Sequence, residues 1–366
     1  MPTRVISKKD VVRDFDFSKL GNRAILVTGK TGAVKSGALA DVTERLEACG
    51  IEYCIFNEIE ENPSIESCVK AADAARSFGA DVMIAIGGGS AMDAAKAAAV
   101  FATNDFADPY EIYVSIPRRA LPLVVVGTTS GTGSEVTAVS VITASGKDGE
   151  RFKKSLKSPR IYPLYALVDP KYTYKLPWNI TLSTALDVVS HAIESLYSPK
   201  AGEISLIYAY EGLKRAWSAI KKAHWQTFVE FRDITPDVRD ELSCASIIAG
   251  MAINLTGTGF AHAISYPLSV NKYVPHGLAC AYSLVPYLKH NRGEDERRDK
   301  MFEQAVGYSF EEFYEDMQKL LPDAPSLSYA EIDSFTELTA TSASLKNSIS
   351  PLSGTGVEKL YLAMHK

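Results

Sequence analysis

Short apolar runs alternate with longer amphipathic stretches through the first half of the chain. Ala24–Thr28 is a mainly apolar run ended by Gly29, and helical spacing of apolar positions follows from about Ser36 to Cys49. Tyr53–Phe56 reads as a second strand, and Ser64–Phe78 as a helix with Ser64 as N-cap. Val82–Ile86 is a third strand that runs into Gly87-Gly88-Gly89-Ser90, and the alanine-rich segment Ala91–Phe101 follows as a strong helix. Leu123–Val126 gives a fourth strand, ending in the hydroxyl- and glycine-rich stretch Thr128–Ser134. Continuously apolar strands separated by helices predict a parallel sheet covered on both faces.

After Pro170 the strand-like runs stop. Long amphipathic segments replace them, for example Leu182–Tyr197, Ile204–Ala223 and Arg239–Leu255. A chain of 366 residues has room for two buried cores. The pattern therefore predicts an α/β domain over 1–177 and an all-helical domain over 178–366. With no repeat and no low-complexity linker, the two should pack closely and leave a cleft, a favoured place for ligands.

Composition narrows the partners. Hydrophobic residues make up 46% and charged residues 23%, as in a folded globular protein, and the net charge is -5. That balance offers no basic stripe for nucleic acid and no polybasic segment for a membrane surface. The N-terminal stretch carries charges of both signs without the apolar centre of a signal peptide, and no apolar run approaches the roughly 18 residues of a membrane span. Cys49, Cys54, Cys68, Cys244 and Cys280 lack CxxC or metal-like spacing, so they read as reduced core thiols in a cytoplasm.

Two groups of residues point to chemistry. Gly87, Gly88, Gly89 and Ser90 lie between a buried strand and a helix, where backbone N–H groups and the helix dipole suit a phosphate. A tight turn would need glycines as well, and the run is not the GxGxxG fingerprint. Thr128–Ser134 ends the next strand, so two such loops together favour a large phosphate-bearing ligand. In the second half, Asp187 and His191 are four apart on one helix face, and His262 and His276 follow later. Three imidazoles and a carboxylate suit a divalent first-row transition metal, although an Asp–His pair at this spacing also serves as a surface ion pair and a single His in an apolar segment as a core residue. His224, His290 and His365 sit among charged or terminal residues and read as surface.

Four ordered segments carry a resemblance. GGGSAMDAAK (87–96), TTSGTGSEVT (128–137), ALDVVSHAIESLYS (185–198) and AHAISYPLSVNKYVPHG (261–277) resemble the iron-containing alcohol dehydrogenases, and VTGKTGAVKSGAL and EENPS look closest to the propanediol-dehydrogenase-like branch. The resemblance implies a dinucleotide-binding α/β domain, a helical domain and a metal in the cleft, that is, a dehydroquinate synthase-like fold. Carried onto this chain, Asp187, His191, His262 and His276 match the metal ligands. Gly87, Gly88, Gly89 and Ser90 match the pyrophosphate loop with Asp93 behind it, Thr128, Thr129 and Ser130 match the nicotinamide side, and Lys153 matches a lysine near the cofactor. Where some members carry an Asp that excludes a 2′-phosphate, this chain has Gly29 followed by Lys30, which favours NADP(H) over NAD(H). Tyr266 stands where many relatives have a histidine thought to move protons, and reads as a relay or, preferably, a pocket wall.

The expectation is a metal-dependent alcohol dehydrogenase or aldehyde reductase, with iron(II) or zinc as Lewis acid on the substrate oxygen. The substrate is expected to be a small primary alcohol, diol or aldehyde walled by Val139, Phe260 and Tyr273, and the protein a cytoplasmic homodimer. Redox-neutral dehydroquinate-synthase-like enzymes, glycerol dehydrogenases and a non-catalytic nucleotide-binding protein are the rival readings.

Overall fold

The four apolar runs become adjacent strands in a computed structural model that describes residues 2–146, 149–223 and 234–364. The strands of the first half are β1 (Arg4–Ser7), β2 (Arg23–Gly29), β3 (Glu52–Ile59), β4 (Val82–Gly87), β5 (Leu123–Gly127), β6 (Val139–Ser145), β7 (Arg151–Lys157) and β8 (Tyr165–Val168). Six of them form one sheet in the order β1-β8-β5-β4-β2-β3, and every pair is parallel. Helices cover the central strands on both faces, so β4 and β5 are buried at every residue and can be apolar throughout. At the edge, β3 is only partly covered and leaves Ile55 46% exposed.

Two of these strands leave no strong signal in the sequence. β1 and β8 are four residues long, and β1 has polar ends. They are held by interactions between residues distant in sequence. The backbone N–H of Asp10 donates to Asp169 Oδ2 at 2.6 Å, while Lys171 Nζ lies 3.0 Å from Asp41 Oδ2. The antiparallel pair β6–β7 is also an addition to the expected elements, and the basic strand RFKKSLK does not alternate as a half-buried strand should.

The chain folds as two units, Met1–Leu176 and Pro177–Lys366. The second unit is helical. Its central helix, Trp178–Leu196, is buried from Ala185 to Leu196 and packs against Glu203–Lys222, Pro236–Thr256 and His276–Asn291. The three amphipathic segments read from the sequence are thus helices, two of them a few residues longer than the apolar pattern and Glu203–Lys222 of the same length. Thr235 explains one extension: its side chain accepts from the N–H of Val238 and caps a helix that opens with Pro236. Among the described residues no single helix is long and apolar enough to cross a membrane.

The β6–β7 pair is tied to the helix Gly89–Phe101 by buried charges. Asp93 accepts from Ser134 Oγ at 2.6 Å and from the N–H of Val141 at 2.9 Å. Lys96, with no exposed surface, donates to Ser134 Oγ and the Val139 carbonyl at 2.7 Å each. Glu135 joins this cluster with its Oε2 lacking any hydrogen-bond partner. Burial pushes Glu135 up to about 7 and Lys96 down to about 8.

Glu135 is thus protonated more readily in the folded chain than at its ordinary value of 4.5, so the folded state binds the extra proton and stability falls as pH rises toward about 7. Replacing Glu135 by Gln removes that loss. The variant is expected to be more stable than the native chain by about 3 kcal/mol at about pH 8, and nearly equal to it at about pH 4. Urea unfolding at both pH values checks this, and an equal difference at the two would refute it.

Candidate functional site

One carboxylate oxygen gathers three imidazoles in the second unit. Asp187 and His191 lie one turn apart on the buried face of Trp178–Leu196, the helix Phe260–Asn271 supplies His262, and His276 opens the helix His276–Asn291. Asp187 Oδ1 lies 3.4 Å from Nε2 of His262, 3.5 Å from Nε2 of His191 and 3.8 Å from Nε2 of His276. Four donors each about 2.1 Å from a tetrahedral ion stand about 3.4 Å apart, whereas a charge-assisted hydrogen bond would draw them to about 2.8 Å. The distances to Asp187 are closer to those of donors around an ion than to a hydrogen bond.

The polar atoms support the same reading. Asp187 Oδ1 and His262 Nε2 are buried and have no hydrogen-bond partner. Such atoms are rare in folded proteins, and two of them side by side suit an ion between them. Burial works to raise the Asp187 carboxyl, but His191, His276 and His262 hold it well below the usual carboxylate range. Burial disfavours charged His262, yet Cys280, Glu194 and Asp187 outweigh it and raise its pKa well above the ordinary value. Carboxylate and imidazole donors suit a divalent first-row transition ion, so the residues fit the metal.

Neighbours fix the donors in place. Glu194 accepts from the backbone N–H of His262 at 3.0 Å and pairs through Oε2 with His262 Nδ1. That pairing places the imidazole proton on Nδ1 and leaves Nε2 for a metal. Gly277 lets His276 approach: a Cβ there would lie 1.8 Å from the Ser183 carbonyl oxygen and 2.9 Å from Asp187 Cβ. The ring of Tyr266 stacks on His276 with centroids 5.9 Å apart, and burial pushes its phenol up to about 12. It therefore keeps its proton at neutral pH.

The first unit holds the glycine-rich loops. Gly87 ends β4, and Gly88 caps the helix Gly89–Phe101, leaving that helix's first N–H groups for an anion. A Cβ on Gly88 would lie 2.8 Å from Thr129 Oγ1, and one on Gly89 2.6 Å from Thr132 Cγ2, so the two loops touch. Thr128 N donates to the Gly87 carbonyl at 2.9 Å, and the buried Ser130 Oγ has no hydrogen-bond partner. Gly29 ends β2 beside β4, with Lys30 exposed after it. Gly29, Gly87 and Gly127 therefore stand at the carboxyl ends of three neighbouring strands, where parallel sheets bind ligands.

Each expected site residue has a definite place. Asp187, His191, His262 and His276 come together, as do Gly87–Ser90 and Thr128–Ser130. Both oxygens of Asp93 are engaged by Ser134 and Val141, so this carboxylate holds the fold behind the loop. Lys153 stands opposite Thr143 on β7, near enough for its charge to act on Asp93. Phe260 corrects an expectation. It has no exposed surface and packs on Tyr287 with centroids 4.5 Å apart, so it belongs to the core and not to a pocket wall. Tyr273 is 79% exposed, and Val139 is half-buried on β6. His290 is exposed, while His224 and His365 lie outside the described residues. All five cysteines are free, but only Cys68 and Cys280 are buried. Glu194 and Cys280 are additions that the sequence motifs do not single out. Glu194 continues the 187, 191 face of its helix and Cys280 follows His276 by one turn, and that spacing is the available signal.

The pattern described as iron-containing alcohol dehydrogenase matches residues 2–170, and that of the C-terminal part of the Fe-containing alcohol dehydrogenase family matches 181–328. The chain is 36% identical to a sulfoacetaldehyde reductase of Bilophila wadsworthia over 72% of its own length and 65% of the relative's. It is 35% identical to a 1-propanol dehydrogenase of Salmonella typhimurium, over 65% of this chain and 59% of that one. These alignments thus span less than two thirds of the relatives' length. An iron-containing alcohol dehydrogenase of Thermotoga maritima of known structure superimposes with a TM-score of 0.88 at 32% identity, covering 100% of this chain and 98% of that one.

Replacing Glu194 by Gln is expected to weaken binding of a divalent ion about 10–100-fold, because the imidazole loses the partner that orients it. Gly277→Ala is expected to abolish binding. Calorimetric titration with Zn2+ checks both, and native affinity in the Glu194 variant would refute the orienting role.

Proposed function

Since the chain belongs to the iron-containing alcohol dehydrogenase family of oxidoreductases, we propose that it interconverts a small alcohol and its aldehyde by hydride exchange with a nicotinamide dinucleotide. The observation that carries this reading is the convergence of three imidazole nitrogens within 3.8 Å of one buried Asp187 oxygen. Bound at their sites, a divalent ion would polarise the substrate oxygen and the nicotinamide would exchange the hydride.

The chain's own residues have separable tasks. Asp187, His191, His262 and His276 would hold the ion, with the carboxylate offsetting part of its charge. Glu194 keeps the His262 proton on Nδ1. Gly87–Ser90 would receive the pyrophosphate, and Thr128, Thr129 and Ser130 would line the nicotinamide side. Tyr266, protonated at neutral pH, would serve as a wall beside His276 and not as a base.

Gly29 and Lys30 support NADP(H) over NAD(H). The residue that ends β2 is a glycine and carries no carboxylate of its own to repel a 2′-phosphate, and an exposed ammonium follows. The similarity to a sulfoacetaldehyde reductase and to a 1-propanol dehydrogenase supports short aldehydes, with or without an acidic tail, as the class to test. The propanediol-dehydrogenase-like branch is our placement from the segments VTGKTGAVKSGAL and EENPS.

Oxidation of NADPH by a panel of short aldehydes, sulfoacetaldehyde and hydroxy-aldehydes included, tests the proposal. Turnover should vanish on metal stripping and return with iron(II) or zinc. Stable binding of metal and cofactor with no turnover on any aldehyde would favour redox-neutral chemistry, and failure to bind either would overturn the reading. Gly29→Asp should move the kcat/KM ratio toward NADH by about tenfold or more, a difference of about 1.4 kcal/mol. An unchanged ratio would remove Gly29 from cofactor choice.

A further inference from the structure

The buried thiol of Cys280 is not used by the proposed reaction, yet it lies inside the donor cluster. One donor atom each from Asp187, His262, His276 and Cys280 all fall within 4.8 Å of one another. Cys280 follows His276 by one helical turn, and its Sγ is 3.9 Å from His276 Nε2 and 4.0 Å from Nδ1. Sulfur and nitrogen donors about 2.3 and 2.1 Å from one tetrahedral ion stand about 3.6 Å apart, so the sulfur already lies within a few tenths of an ångström of that spacing from His276 Nε2. The other pairs, none wider than 4.8 Å, would draw in by up to about 1 Å. His191 reaches Asp187 instead and stacks on His262 with centroids 4.7 Å apart.

We infer that Asp187, His262, His276 and Cys280 form a second donor set, sharing three residues with the set completed by His191, that takes thiophilic divalent ions such as Zn2+, Cd2+ and Co2+. The inference rests on the metal reading proposed above and concerns which ion is held, not which reaction follows. A sulfur donor among imidazoles and a carboxylate shifts preference from hard or borderline ions toward soft ones. On binding, the Sγ–H proton leaves to solvent as the sulfur–metal bond forms, and no redox change occurs. The thiol's burial keeps competing solvent from the bond. Cys68, the other buried cysteine, lies in the first unit and serves as a control.

Co2+ titration of the intact metal-stripped chain tests the inference by absorption. Visible ligand-field bands report occupancy, and a near-ultraviolet sulfur-to-cobalt charge-transfer band reports the thiolate. Both should appear in the native chain and in Cys68→Ser, whereas Cys280→Ser and Cys280→Ala should keep the visible bands and lose the charge-transfer band. In the same variants Cd2+ affinity should fall about tenfold or more, with Mn2+ affinity unchanged. Visible bands without a charge-transfer band in the native chain, or a charge-transfer band that survives in Cys280→Ser, would overturn the thiolate ligand alone. Absence of both bands would overturn it together with the metal reading of the proposed function.

Discussion

The second unit is organised around a single buried carboxylate. Asp187 is buried away from bulk solvent, and the charge is tolerable because His262, His191 and His276 face it within 3.8 Å. Those imidazoles come from three helices, so the packing of each helix is constrained by the same point. Gly277 is the clearest trace of that constraint, since any side chain there would drive into the Ser183 carbonyl. Glu194 extends it outward by fixing the ring that stands nearest to Asp187.

The first unit solves a different problem, which is to offer backbone to a ligand without letting the backbone collapse. Glycines at Gly88 and Gly89 allow the two loops to lie against Thr129 and Thr132. What keeps them there is the cluster behind, where Lys96 and Asp93 both engage Ser134 from the helix that starts at Gly89. The loops are thus flexible in composition and fixed in attachment. Glu135 is the cost of that arrangement, a carboxylate buried without a partner for Oε2.

Much of this is legible in the sequence, for physical reasons. β2, β4 and β5 are buried on both faces, so their apolar runs stand out, and the long helices show their periodicity. The expected metal ligands can be named because their motif spacing resembles a family, whereas the bare Asp187–His191 spacing fits an ion pair equally well. β1 and β8 are not legible because four residues are too few to carry a pattern, and their place depends on Asp10, Asp169 and Lys171 meeting across the chain. Phe260 misleads because an aromatic beside a ligand suits a pocket wall as well as a core. Glu194 is easily passed over although it lies on the same helical face as Asp187, since a carboxylate that holds His262 from behind, through its backbone N–H and Nδ1, belongs to no ligand spacing.

Because Asp187, His262 and His276 sit on three separate helices, a bound ion also acts as a cross-link across the fold. An ion that binds the folded chain and not the unfolded one adds stability that grows with the logarithm of its concentration. The resistance of this half of the protein to unfolding, and so to proteolysis, is thereby coupled to how much metal its surroundings supply. A chain left without metal would be shorter-lived, and its abundance would follow the metal supply without any separate regulator.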